Sequence, residues 1–128
     1  MNLLLDTHVM LGLAESHVYG LPSGLKLKLS GEDCRLFVSA ASLWEIAIKS
    51  RLGKMPLDCP LPEWPAVLAV LGISLTDIAV SHILADLDPV PDTKDPFDRL
   101  ILATAAIEHM PLVTVDRALS RHPLAWRG

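Results

Sequence analysis

Four carboxylates in this chain sit where one element of structure gives way to the next: Asp6, Glu45, Asp98 and Asp116. Asp6 ends the apolar run Leu3-Leu4-Leu5, and Asp116 follows Leu112-Val113-Thr114. Glu45 lies early in a helical pattern that follows Arg35 to Val38. Asp98 opens the apolar stretch Leu100 to Ala106. Brought to one place, such groups repel; two charges at about 4 Å cost several kcal/mol at an intermediate dielectric. A cluster of this kind either raises its pKa values or binds divalent cations. Oxygen-only ligands favour Mg²⁺ or Mn²⁺ over zinc.

Each acid also has a plain structural explanation. Asp6 and Asp116 suit helix N-caps. Ser42-x-x-Glu45 matches a capping box, and Glu45 with Lys49 matches an i,i+4 surface pair. Asp95-x-x-Asp98 resembles a capping box with Asp in the place of Glu. The combination weighs more than its parts. Trp44, Ile46, Ala47 and Ile48 surround Glu45 with apolar residues. Asp98 shares a helix face with Leu102 and Ala105, and a carboxylate turned toward a core is costly without a partner. Asp95 with Pro96 at the first helical position makes a sufficient helix start, with Asp95 also within reach of a metal through water. Lys49 and Arg99 flank the acids and are candidates for phosphate contacts, whereas Arg51, Lys54 and Lys94 read as solvated charges.

Other chemistries are less well served. His8, His17, His82, His109 and His122 have no spacing that suggests a zinc site or a triad, and read as surface or packing residues. No Gly-rich phosphate loop is present. An aspartate-nucleophile phosphatase would want a second acid two residues after Asp6, where His8 stands. A metal-free, histidine-based ribonuclease would keep its activity in EDTA. Cys34 and Cys59 stand alone and are expected to be reduced thiols of a cytoplasmic protein, there being no signal peptide.

At 128 residues the chain is long enough for one domain, 1–128, with a real core. Half of it is apolar and its charge is moderate, which excludes a disordered chain. A net charge of −4 argues against a general electrostatic nucleic-acid binder. It leaves room for an enzyme that holds cations and then meets a polyanion. No apolar run approaches the roughly 20 residues that span a bilayer, so no membrane role is expected.

Asn2 to Leu5 reads as a strand buried on both faces, and Asp6-Thr7-His8 starts a helix from about Val9 to Glu15. Leu25 to Leu29 reads as a helix, with a short strand as the alternative. Arg35 to Val38 is the second strand, and Ser39 to Leu52 a helix closed by Gly53. Met55 to Pro65, with four prolines, reads as an extended connection before a helix from Ala66 to Leu71. Ile73 to Leu75 is a strand, Thr76 caps a helix to about Asp86, and Pro96 to about His109 is the buried helix. Leu112 to Thr114 is the last main strand, Asp116 caps a helix to about Arg121, and Leu124 to Trp126 suggests an edge strand. Strands alternating with helices predict an α/β fold with a mainly parallel central sheet. In such sheets ligands gather beyond the carboxyl ends of the strands, where all four acids fall.

Leu3-Leu4-Leu5-Asp6-Thr7-His8, Ser39 to Lys49, Asp95-Pro96-Phe97-Asp98-Arg99-Leu100 and Pro111 to Asp116 together resemble the PIN-domain proteins. More narrowly, they resemble VapC-type toxins of toxin–antitoxin pairs. The resemblance runs from Asn2 to about Trp126; from His17 to Asp33 and Met55 to Val90 it is only a helical pattern. It implies a three-layer α/β/α sandwich and an endoribonuclease dependent on Mg²⁺ or Mn²⁺. It further implies an RNA substrate, an inhibitory cognate antitoxin, and a homodimer within the toxin–antitoxin complex. The family's acidic site maps onto Asp6, Glu45, Asp98 and Asp116, and Thr114 matches a polar position that supports the last acid. Products with 5′-phosphate and 3′-hydroxyl ends follow from the same resemblance. The family's usual Trp after the first acidic motif is absent, Leu11-Gly12-Leu13 standing there in a packing position. The alternative is a catalytically silent PIN-like module that acts through a partner protein.

Overall fold

The computed structural model describes all residues, Met1–Gly128. Four short strands form one sheet: β1 (Asn2–Leu5), β2 (Arg35–Ser39), β3 (Ile73–Thr76) and β4 (Leu112–Val113). Their order is β3-β2-β1-β4, and every pairing is parallel. Parallel neighbours need long crossovers, and helices supply them. Helices α1 (Thr7–Ala14) and α2 (Leu25–Leu29) join β1 to β2. Helices α3 (Ala40–Arg51) and α4 (Trp64–Val70) join β2 to β3, and α5 (Val80–Leu84) and α6 (Pro96–Glu108) join β3 to β4. A short α7 (Arg117–Ser120) follows β4.

The two-residue alternation of a strand divides the core in two. Leu3 and Leu5 of β1 face one side with Val9, Met10, Trp64 and Leu68. Leu4 and Leu112 face the other with Ile101, Leu102, Ala105 and Leu119. All three leucines of β1 are fully buried, each contributing about 2–3 kcal/mol. The result is a three-layer α/β/α sandwich. Gly12 of α1 lies against Leu21: a Cβ there would stand 2.4 Å from Leu21 Cγ and Cδ2, so Leu21 fills the space beside the helix.

Three elements differ from expectation. Thr76 does not cap a helix; it is the last residue of β3, in register with Ser39 of β2. The following helix starts at Val80, where His82 Nδ1 accepts the Ala79 N–H at 3.1 Å. The proline-rich connection is not extended to Pro65. Leu61–Glu63 forms a 3₁₀ turn and α4 begins at Trp64 with proline in its first turn, a position proline suits. Leu124 to Trp126 adds a single parallel bridge, Leu112 to Ala125, instead of a strand.

Candidate active site

The strand order runs outward from β1 to β3 on one side and restarts with β4 on the other. In open parallel sheets, ligands gather beyond the carboxyl ends of the strands at such a reversal, here those of β1 and β4. Asp6 and Thr114 are the residues that follow these two strands, and Thr114 Oγ1 donates to Asp6 Oδ2. Asp6 also caps α1, its Oδ1 accepting the Val9 N–H at 2.8 Å. The side chain is buried, and burial raises its pKa above the usual carboxylate value against the lowering pull of Thr114, Val9 and His8.

Thr114 is a joint between two acids. Its oxygen accepts the Asp116 N–H at 3.0 Å while its proton goes to Asp6. Asp116 Oδ1 caps α7 through the N–H groups of Ala118 and Leu119, at 2.8 and 3.2 Å. The capping explanation of Asp6 and Asp116 therefore holds; Asp6 gives its second oxygen to Thr114, and Asp116 caps with Oδ1 alone.

Glu45 is no surface residue. It is 3% exposed, on the second turn of α3, and Ser39 rather than Ser42 caps that helix. Thr7 Oγ1 donates to Glu45 Oε1 at 2.6 Å and lies 3.0 Å from Ser42 Oγ. Lys49 Nζ pairs with Glu45 Oε2 and stands 3.7 Å from Asp95 Oδ2. Burial pulls the Lys49 ammonium down, but the hydrogen bond and charge of Glu45, with Asp95 and Asp98 behind, outweigh it and its pKa is raised.

Asp98 sits in the first turn of α6, and Asp95, not Asp98, is that helix's cap. Asp95 Oδ1 accepts the N–H groups of Phe97 and Asp98 at 2.8 and 3.2 Å, so Asp98 is free of the capping role. Its only protein donor is Thr93 Oγ1, at 3.3 Å. Desolvation and the charges of Asp95, Glu45 and Asp116 push its pKa up to about 6. The fold thus draws Glu45, Asp95, Asp98 and Asp116 into one negative field with Lys49 as counter-ion. Asp6 joins them through hydroxyls, Thr114 on one side and its neighbour Thr7 on the other. No three acidic, His or Cys side chains converge closely enough to ligate one ion together as they stand. Arg99 pairs with none of the acids; its Nη2 donates to the Ala85 carbonyl at 3.2 Å.

The donor set still fits a hard divalent cation. It consists of oxygens alone, and Asp98 carries more negative charge around it than Lys49 offsets. Sequence reasoning passed over Thr7 and Thr93, which hold Glu45 and Asp98; a hydroxyl beside each acidic motif was the one available signal.

An all-parallel α/β/α sandwich with acids gathered beyond its strand ends defines a class of acid-site α/β domains. The PIN domain family model matches residues 3–124, and the chain belongs to the PIN domain family. No curated protein matches it. Among solved structures, a chain of the VapBC2 complex from Rickettsia felis, bound to a DNA fragment from its promoter, superposes with a TM-score of 0.64. The two are 16% identical over 98% of this chain and 96% of that one, a likeness of fold.

Proposed function

We propose that this PIN domain is a divalent-metal-dependent endoribonuclease acting as the toxin of a toxin–antitoxin pair. The observation that carries the reading is Asp98, held near pKa 6 among Asp95, Glu45 and Asp116 beyond the strand ends where the strand order reverses. A fold keeps an uncompensated carboxylate in such a place when the charge is used. Asp6, Glu45, Asp98 and Asp116 would hold Mg²⁺ or Mn²⁺. When bound, the ion supplies Lewis acidity at a phosphate and lowers the pKa of water. Thr114 fixes Asp6 relative to Asp116, and Thr7 fixes Glu45. Water attacks phosphorus, the bond to the 3′ oxygen breaks, and a 3′-hydroxyl and a 5′-phosphate result. Lys49 holds positive charge beside the attacked phosphate.

An antitoxin partner and a homodimer belong to the same reading. The VapBC2 assembly supports it by likeness of fold, and the exposed apolar residues Val80 and Leu84 of α5 offer unpartnered surface. That no helix is long and apolar enough to cross a membrane is compatible with it.

The silent-module reading has two observations in its favour: Asp6 and Glu45 are already satisfied by protein donors, and no three ligands converge. RNA end mapping after induction tests the proposal. Discrete metal-dependent cuts are expected, absent for Asp6→Asn and Asp98→Asn at unchanged circular dichroism. Wild-type cleavage by either variant would sink the assignment. Calorimetry with Mn²⁺ separates the second reading: binding by the parent protein and its loss in Glu45→Gln supports the enzyme, and no binding supports the module.

A further inference from the structure

Lys49 is the one cation that pairs with the site acids, and its two contacts lie on different helices. Nζ pairs with Glu45 Oε2 one turn back on α3 and stands 3.7 Å from Asp95 Oδ2 at the cap of α6. The lysine side chain is 30% exposed against 4% for Glu45, so it stands on the solvent side of the carboxylate. An ordinary i,i+4 pair lies on a solvated face with both members exposed. Here the acid is buried and the base reaches a second element.

Both oxygens of Glu45 are taken. Oε1 accepts the Thr7 hydroxyl at 2.6 Å, and Thr7 is itself buried in the first turn of α1. Oε2 has Lys49 alone. Of the two partners only Lys49 has a long stem and a path to solvent, so a ligand that takes charge from Glu45 takes it through Oε2. Two cations cannot share that oxygen comfortably, because like charges a few ångström apart repel strongly away from bulk water. Lys49 also has attraction that does not depend on Glu45: Nζ lies 5.9 Å from the Phe97 ring centroid, within cation–π range.

We propose that Lys49 is an exchangeable counter-ion: it neutralises Glu45 until it yields that oxygen to a divalent cation, and then turns outward to bind an RNA phosphate. This rests on the nuclease reading above. It orders the assembly, cation first and RNA second. While Glu45 holds the lysine, its charge is spent within the site and the remaining acids repel a polyanion. Once released, the same ammonium favours one, so cation and RNA bind with positive coupling through Lys49.

The test uses Lys49→Met in the full chain, which keeps an apolar stem and removes the ammonium. Mn²⁺ affinity is read by calorimetry. Phosphate affinity is read by NMR titration of adenosine 5′-monophosphate, which has no phosphodiester to cut, in EDTA and in saturating Mg²⁺. Loss of the competitor should tighten Mn²⁺ binding about tenfold in Lys49→Met. A lysine that merely braces Glu45 gives the opposite sign, since its loss loosens a ligand. The nucleotide should bind Lys49→Met about tenfold more weakly than the parent in Mg²⁺, and no more weakly in EDTA. Glu45→Gln should bind the nucleotide more tightly than the parent in EDTA, and Glu45→Gln with Lys49→Met should lose that gain. Should Lys49→Met fail to fold by circular dichroism, Lys49→Gln, neutral but still a donor to Glu45, carries the same comparison. Equal or weaker Mn²⁺ binding by the variant overturns the exchange and leaves the nuclease standing. An equal loss of nucleotide affinity in EDTA and in Mg²⁺ also overturns it, making Lys49 a fixed phosphate contact. Tighter Mn²⁺ binding with nucleotide affinity untouched overturns the transfer to phosphate. If the parent protein binds no Mn²⁺, the nuclease reading falls and the exchange with it.

Discussion

At the scale of single residues, Asp98 sets stability against its proposed role in metal binding. Its folded pKa of about 6 exceeds the ordinary 3.8, so the native state holds the proton more tightly than the unfolded chain. The sign follows: as pH rises from about 4 through about 6, the ionised group costs stability, and above that window the cost is constant. Asp98→Asn should therefore raise the melting temperature of the metal-free protein at pH 7.5. The gain, about 1 kcal/mol at most after solvent screening of a half-buried group, should vanish below about pH 4. Melts of both proteins in EDTA across that range measure it; a variant less stable than the parent at pH 7.5 would contradict the charge field described. Thr114 makes the opposite kind of prediction. Thr114→Val removes the donor to Asp6 and the acceptor for the Asp116 N–H, and should lower activity about 10–100-fold, whereas Thr114→Ser should keep most of it. Single-turnover cleavage of labelled RNA by the two variants distinguishes a hydroxyl that positions acids from one that merely fills space.

At the scale of elements, local chemistry was legible and long-range pairing was not. Asp95-Pro96 announces α6 because a cap and a first-turn proline act within a few residues. Asp95→Ala should cost about 1 kcal/mol in urea unfolding through the lost cap. Thr76 has the same local credentials as a cap, but backbone pairing with β2 decides it, and nothing nearby in the sequence reports Ser39. The four acids could be placed at strand ends from the alternation of elements alone. Their holders could not: Thr7 reaches Glu45 across 38 positions, and Thr114 reaches Asp6 across 108. Another acid, Glu15, drew no attention as part of the helix after Asp6. It is 2% exposed and accepts the Asp58 and Cys59 N–H groups at 2.8–3.0 Å, clamping the proline-rich connection to the end of α1. Glu15→Ala strands these donors and should destabilise the chain by about 2 kcal/mol without changing the metal affinity of the distant acids. Urea unfolding with parallel Mn²⁺ calorimetry reads both quantities. The histidines resolve as packing devices in two cases: His122 donates to the Pro89 carbonyl at 2.8 Å and accepts the Leu124 N–H, and His82 faces Glu108 at 2.9 Å.

At the scale of the whole molecule, the proposed cation site would link folding to metal binding. The acids come from the end of β1, from α3, from α6 and from the turn after β4, with Asp6 the residue that follows β1, so they meet only when the sheet and both helical layers are assembled. The unfolded chain has no such site, and an ion that binds the native state alone stabilises it by RT ln(1 + [L]/Kd). At 100 times Kd this amounts to about 2.7 kcal/mol, a rise on the order of 10 °C for a domain of this size. Mn²⁺ should therefore raise the melting temperature of the parent protein steeply and saturably, and leave Asp98→Asn and Asp6→Asn nearly unmoved. The two Asn variants should differ from each other without metal. Asp98→Asn relieves a crowded charge, whereas Asp6→Asn weakens the Thr114 contact and a helix cap, so only the first should be more stable than the parent in EDTA. Differential scanning calorimetry of the three proteins with and without Mn²⁺ reads all six values. A parent protein that gains nothing from Mn²⁺, with Asp98→Asn still the more stable in EDTA, would mean that the site carries its excess charge for a protein partner's cations instead of a metal's.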